Sequence, residues 1–343
     1  MVAWSLALVQ GVAACQASTG DVYSGLFESG PDDASGTNAP SEALTETGAP
    51  SSPASTDDTG GSSVGGEMEA PRLDVAPAVG DPEPPPTCQA VDLLFVVDNS
   101  GSMGDEQLSL VASFPGFISG IRERLGSATS YHVGVVTTDA YAWDLPMCQS
   151  LGGLTVRTGG MLSSDETCGP FALGRSFMTV EDDLDEAFSC AAQVGIDGAG
   201  VERPMDAIAG VLTDPSGINS VCNEGFLRDE ALLVIVLITD EEDEGDSLGD
   251  PLDWFDNVVA AKGGDADAVV VLALIGHDKP NACIATQWTG MMGAEIAPRL
   301  ATFAGLFEHG TVGDVCAPDY GPFFADAVDG IADACDLVPT PAD

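Results

Sequence analysis

Basic residues are scarce in this chain: 10 Lys and Arg stand against 55 Asp and Glu, a net charge of −45 at neutral pH. A surface so uniformly negative repels other polyanions, which excludes nucleic acid as a partner and suits either divalent cations as counterions or a salty medium. Histidine is scarcer still, with only His132, His277 and His309, and none lies at zinc-ligand spacing from a cysteine. No apolar run approaches the roughly 20 residues that a spanning helix needs. There is no G-x-S-x-G elbow, Walker loop or dinucleotide fingerprint, so nucleophilic hydrolysis and nucleotide chemistry have no motif here. What the chain does have is 343 residues at 44% hydrophobic content, enough for one large domain and a tail or for two small domains.

Residues 1–14 are uncharged and mostly apolar, and they run into Val12, Ala13, Ala14 and Cys15 before a polar segment begins. A short apolar region closed by small residues reads as an export signal. Its end resembles the lipobox of bacterial lipoproteins, which implies cleavage before Cys15 and a lipid on that cysteine. The plainer alternative is an ordinary signal peptide with an incidental Cys15. No Lys or Arg precedes the apolar run, a departure from the usual charged start that leaves the true translation start open. From 15 to 87 the chain is Ser, Thr, Gly, Ala, Pro and acid, and it carries −12 of the total charge, leaving −33 for the rest. Such a composition cannot bury a core, so it is expected to be a disordered, extended tether.

Setting Cys15 aside leaves Cys88, Cys148, Cys168, Cys190, Cys222, Cys283, Cys316 and Cys335 in the remainder. An even number without a C-x-x-C pair, in an exported chain, predicts up to four disulfides. Spacing fixes no pairing; Cys88 with Cys335 is the one anticipated, because the ends of a domain tend to meet.

Between 88 and 338 the pattern alternates strand and helix. Strands are expected at 91–97, 132–138, 232–238 and 268–275. Helices are expected at 105–125, 181–194, 204–212, 254–261, 298–307 and 319–335. The first helix carries a stripe of Leu108, Val111, Phe114, Phe117, Ile118 and Ile121 that Pro115 should interrupt. Alternation of this kind predicts an α/β fold, a three-layer, doubly wound and mainly parallel sheet with helices on both faces, followed by a tail at 339–343. The glycine-rich, cysteine-bearing stretch 145–175 reads as a disulfide-held insertion near the sheet edge, and Tyr131, Tyr141 and Trp143 as packing residues.

Ligands of such sheets bind beyond the carboxyl ends of the strands. There the first strand runs into Asp98, Asn99, Ser100, Gly101 and Ser102, and the strand 232–238 into Thr239 and Asp240. These are hard oxygen donors, suited to Mg2+, Ca2+ or Mn2+. The pair of motifs resembles the metal-ion-dependent adhesion site of von Willebrand factor A domains over most of the folded region. That resemblance implies Asp98, Ser100, Ser102 and Asp240 as metal ligands. Where the family places a threonine this chain has Glu202, either a further ligand favouring calcium or a solvent residue with no metal role. The acidic run 241–246 is either a solvated loop or a second ion site. His277 and Asp278 follow a strand end without a nucleophile to pair with.

The implied function is a cell-surface binding or adhesion module that captures an acidic group of a protein or glycan through the cation. Its expected location is the bacterial envelope, on the membrane through the lipid anchor only. The alternatives are a metal-assisted hydrolase, which lacks an evident general base, and a purely structural ion. Lipidation is directly testable: the precursor should incorporate a fatty-acid analogue and partition into detergent, and Cys15→Ser should do neither. Labelling that survives the substitution overturns the anchor.

Overall fold

The computed structural model describes residues 89–125, 130–214, 217–276, 281, 283 and 293–337. The expected signal, Cys15, the tether, Cys88, His277, Asp278 and the tail lie outside the described residues.

The chain alternates β1 (Ala90–Val97), α1 (Gly104–Leu125), β2 (Ser130–Thr137), β3 (Met178–Thr179), α2 (Leu184–Ala192), α3 (Pro204–Leu212), β4 (Leu232–Thr239), α4 (Pro251–Ala261), β5 (Val269–Ile275), α5 (Pro298–Ala304), β6 (Gly310–Asp314) and α6 (Gly321–Cys335). One sheet results, in the order β3-β2-β1-β4-β5-β6. All its pairings are parallel except β2 with β3. β1 and β4 are buried along their whole length, as a continuous apolar run in the middle of a helix-covered sheet requires. α1 packs with α2 and α6, and α4 with α3 and α5, so the helices divide into two layers. The result is the doubly wound, mainly parallel α/β arrangement expected. Strand order reverses between β1 and β4, because β2 follows on one side of β1 and β4 on the other.

The first layer is held by rings. Phe95 of β1 meets Phe114 of α1 at 5.7 Å and Phe188 of α2 at 4.6 Å, and Phe117 stacks on Phe324 of α6 at 4.5 Å. Against expectation, Pro115 does not interrupt α1. It stands on the exposed side of the helix with Gly116. The buried stripe also differs: Leu108 is exposed, and Leu110 takes its place beside Phe114, Phe117, Ile118 and Ile121. α2 begins three residues later than anticipated because Asp183 caps it, accepting the Glu186 N–H. The edge strands β3 and β6 went unread: two residues give no periodicity, and the Gly310–Asp314 segment is too exposed and glycine-rich to look like a strand.

Three disulfides join Cys148 to Cys222, Cys168 to Cys190 and Cys283 to Cys316. Cys335 is also disulfide-bonded. Bridges of this number belong to an exported protein matured in an oxidising compartment. Among the described residues no helix is long and apolar enough to cross a membrane. The stretch 145–175 does flank β2: the Thr155 N–H reaches the Val135 carbonyl at 2.8 Å, and two of the bridges tie it to α2 and to the loop before β4. Tyr131 and Tyr141 are buried as expected, whereas Trp143 is 43% exposed, with one side of its ring against Gly159 and Gly160.

At the opposite end of the sheet, Asp92 breaks the apolar run of β1 and is fully buried. Arg228 answers it through Nε at 2.8 Å, Nη2 at 2.6 Å and its own backbone N–H at 2.8 Å. Beside it, the Lys262 ammonium donates to the carbonyls of Arg228, Asp229 and Ala231. Burial outweighs the guanidinium and pushes the Asp92 carboxyl up to about 6. Removing the partner strands a buried charge, so Arg228→Met should cost about 3 kcal/mol or more at pH 7.5 in a denaturant melt. The loss should shrink at pH 5, where Asp92 is already protonated; an equal loss at both pH values contradicts this account.

Candidate functional site

The reversal between β1 and β4 opens a crevice at their carboxyl ends, and the chemistry-bearing residues gather there. The backbone N–H of Asp98 continues the ladder onto the Ile238 carbonyl at 3.0 Å, so the first loop starts in register with β4. Asp98 is wholly buried. Its Oδ1 accepts the Ser100 N–H at 2.7 Å and its Oδ2 accepts the Thr239 hydroxyl at 2.6 Å. The Ser100 and Ser102 hydroxyls lie 3.3 Å apart, and the Ser102 hydroxyl donates to Asp240 Oδ1 at 2.9 Å. Four of the residues anticipated from sequence are therefore brought together across two strands.

Glu202 joins them. It is 3% exposed, so it is not the solvent residue that one reading allowed. One oxygen accepts the Thr138 hydroxyl, and Oε1 is buried with no hydrogen-bond partner. Of the neighbouring charges, that of Asp98 acts on it most strongly. The loop preceding α3 is fixed by the Arg203 N–H on the Thr138 carbonyl at 2.9 Å, which holds Glu202 over the end of β2.

Two residues that shape the site were not read from the sequence. Gln107, on the buried face of α1, donates to the carbonyls of Asp98 at 3.0 Å and Gly195 at 2.8 Å and accepts the Gly195 N–H at 3.0 Å. An amide on the same helix face as Leu110, Phe114 and Phe117 was the available signal. Glu106, in the first turn of α1, is buried with Oε2 unpartnered. The acidic run is also not simply a solvated loop. Glu244 and Asp246 are exposed, but Asp243 is buried, and its Oδ1 accepts the backbone N–H groups of Gly245, Asp246 and Ser247 while Arg299 sits 3.7 Å away.

The electrostatics follow from burying like charges. Desolvation first, then neighbouring carboxylates, raise Asp98, Glu202 and Asp240 above the ordinary carboxylate range. The same causes push Glu241 up to about 7, and burial with Asp105 alongside pushes Glu106 up to about 9. The charges that act most strongly on each of the four carboxylates Asp98, Glu202, Asp240 and Glu241 are other carboxylates.

Among the described residues no three His, Cys, Asp or Glu side chains close into a ready-made metal cluster. The donors here are a mixture, two carboxylates tied through two hydroxyls with Glu202 beside them, and all are oxygen. Together with the unpartnered Glu202 Oε1 and Asn99 Oδ1, that set fits a hard divalent cation. A separate cavity of about 750 Å3 opens between α3 and α4, lined by Met205, Ile208, Trp254 and Val258 among others; none of the five site residues lines it.

No protein-family model matches the chain, and no curated protein matches it. Among solved structures it is similar to proximal thread matrix protein 1 from the mussel byssus in two determinations, at 13% and 14% identity and TM-scores of 0.39 and 0.38. The similarity covers 72% of this chain in both cases and 49% and 47% of those chains, so the chain spans about half their length.

Every shifted carboxyl at the site sits above its ordinary value, so the folded state retains protons that the unfolded chain has released. Stability from this source is complete below about pH 4.5 and is lost as pH rises through about 7 for Glu241 and about 9 for Glu106. His132, pushed down to about 4 by burial, opposes the trend below pH 6.5. In EDTA, the thermal midpoint should therefore fall between pH 6.5 and pH 9, and a flat or rising midpoint contradicts the assignment.

Proposed function

We propose that the chain is a von Willebrand factor A-type binding module that holds Mg2+, Ca2+ or Mn2+ at the β1–β4 crevice and offers it to an acidic group of a protein or glycan partner. Asp98, Ser100, Ser102 and Asp240 are its ligands, with Glu202 as an additional carboxylate. The observation that carries this reading is the buried Glu202 Oε1, which has no donor although it lies among carboxylates. Leaving such an oxygen unmet costs free energy, and a cation is the partner that relieves both the missing bond and the repulsion.

Bound there, the ion supplies an electrophilic coordination point for a carboxylate. The chain's own residues prepare it. Thr239 and the Ser100 N–H occupy one direction on each Asp98 oxygen and so aim the remaining ones. Ser102 bridges to Asp240 and sets the two loops at a fixed separation. Gln107 binds the start of the first loop to Gly195 and removes slack from it. The module acts by binding and not by catalysis in this reading, at the surface of an exported, lipid-anchored protein carried by the 15–87 tether.

Calorimetric titration with magnesium and calcium tests it. The full chain should show one main site, which Asp98→Ala and Asp240→Ala abolish with unchanged circular dichroism. Thr239→Val, which only loses the orienting hydroxyl, should weaken the ion by about 10- to 100-fold. Glu202→Gln should weaken it and shift preference away from calcium. Aspartate variants that bind the ion as the parent does refute the proposal.

A further inference from the structure

The stretch 145–175 is not merely clamped to the sheet edge; part of it is laced to the crevice. The Ile196 N–H reaches the Met161 carbonyl at 2.9 Å, the Ser164 N–H reaches the Gln193 carbonyl at 3.1 Å, and the Met161 N–H reaches Asp197 Oδ2 at 2.7 Å. The 195–198 segment is bound in turn to the first loop, through the Gly198 N–H on the Asn99 carbonyl at 2.9 Å. A Cβ on Gly104, two residues past Ser102, would stand 2.9 Å from Leu162 Cδ1. The tip of the insertion therefore lies against the start of α1, next to the ligand loop.

Two of the side chains this tip presents are large and apolar, beside the exposed Asp165 and Glu166: Met161 is 54% exposed and Leu162 63%. From the separate loop before α3, Val201, the residue before Glu202, is 52% exposed. Leu162 also holds φ at +64°, a left-handed conformation that a bulky side chain adopts only when its surroundings impose it. The Cys168–Cys190 bridge fastens the insertion to α2. Three large side chains are thus kept in water beside a crevice built from buried carboxylates.

We infer that Met161, Leu162 and Val201 form an apolar collar that selects a polypeptide partner, in which a single carboxylate stands beside an aliphatic or aromatic side chain. The inference rests on the cation-binding reading above. Chemistry separates this partner from a glycan. The acidic group of a sugar is surrounded by hydroxyls, which lose water against leucine and methionine without gaining a hydrogen bond. A polymer of uronic acids is further repelled by the −33 carried outside the tether. A peptide can offer one carboxylate to the cation and an alkyl group to the collar.

The test uses the full chain over arrays of immobilised synthetic peptides, each with one glutamate flanked either by Leu and Phe or by Ser and Gly, in magnesium and in EDTA. The apolar-flanked set should be retained at least about tenfold more strongly in magnesium, and EDTA should release it. Leu162→Asn, which suits the left-handed backbone, and Met161→Ser should erase the preference while calorimetric magnesium affinity stays at the parent's value. If the chain binds magnesium but treats both sets alike, retains neither, or keeps its preference in both variants, the collar is refuted and the cation site stands. If magnesium is not bound yet the apolar-flanked set is retained and lost in the variants, the collar stands and the cation reading falls.

Discussion

Burying carboxylates beside one another is the constraint around which this molecule is organised. Asp98, Asp240 and Glu202 arrive from three different loops and converge where water is scarce and every influential charge is of their own sign. Such a cluster is tolerable only on a rigid support. The support is the pair of fully buried central strands, with Thr239, Ser102 and Gln107 as the ties that hold the loops to one another. The apolar density of β1 and β4 and the ring stack behind them supply the stability that the crevice consumes.

The two ends of β1 solve opposite problems. At the amino end Asp92 is buried with a guanidinium and a lysine nearby, and the protein closes that circuit by itself. At the carboxyl end Asp98 is buried with carboxylates for company and a neighbouring glutamate oxygen left unmet. A self-contained ion pair makes a structural joint. A circuit left open leaves room for a charge from outside, and the contrast within one strand is what favours the proposed cation.

Much of this was legible because parallel sheets write themselves into sequence. Continuous apolar runs gave the central strands, and the residues immediately after them gave the crevice. The short edges β3 and β6 were not legible, since pairing at an edge depends on neighbours and not on a residue pattern. Pro115 misled because its cost depends on which side of the helix it faces, and Leu108 because it lies off the face that Phe114, Phe117, Ile118 and Ile121 bury. Glu202 could be placed by counting back from α3, but whether it faced water or Asp98 was a matter of tertiary packing. Asp243 looked like one acid in a solvated run, and its capture of three backbone N–H groups became visible only once the loop had a shape.

The chain has only two lysines, and one of them is Lys262, whose ammonium is buried on three carbonyls at the end of α4. A trypsin-like protease needs that side chain in its specificity pocket, and it cannot have it while the carbonyls do. Cleavage after position 262 therefore waits on an opening event that frees the α4 terminus from the 228–231 loop ahead of β4. The bond is a built-in gauge: the rate at which it is cut counts excursions out of the native state, and surface accessibility does not enter.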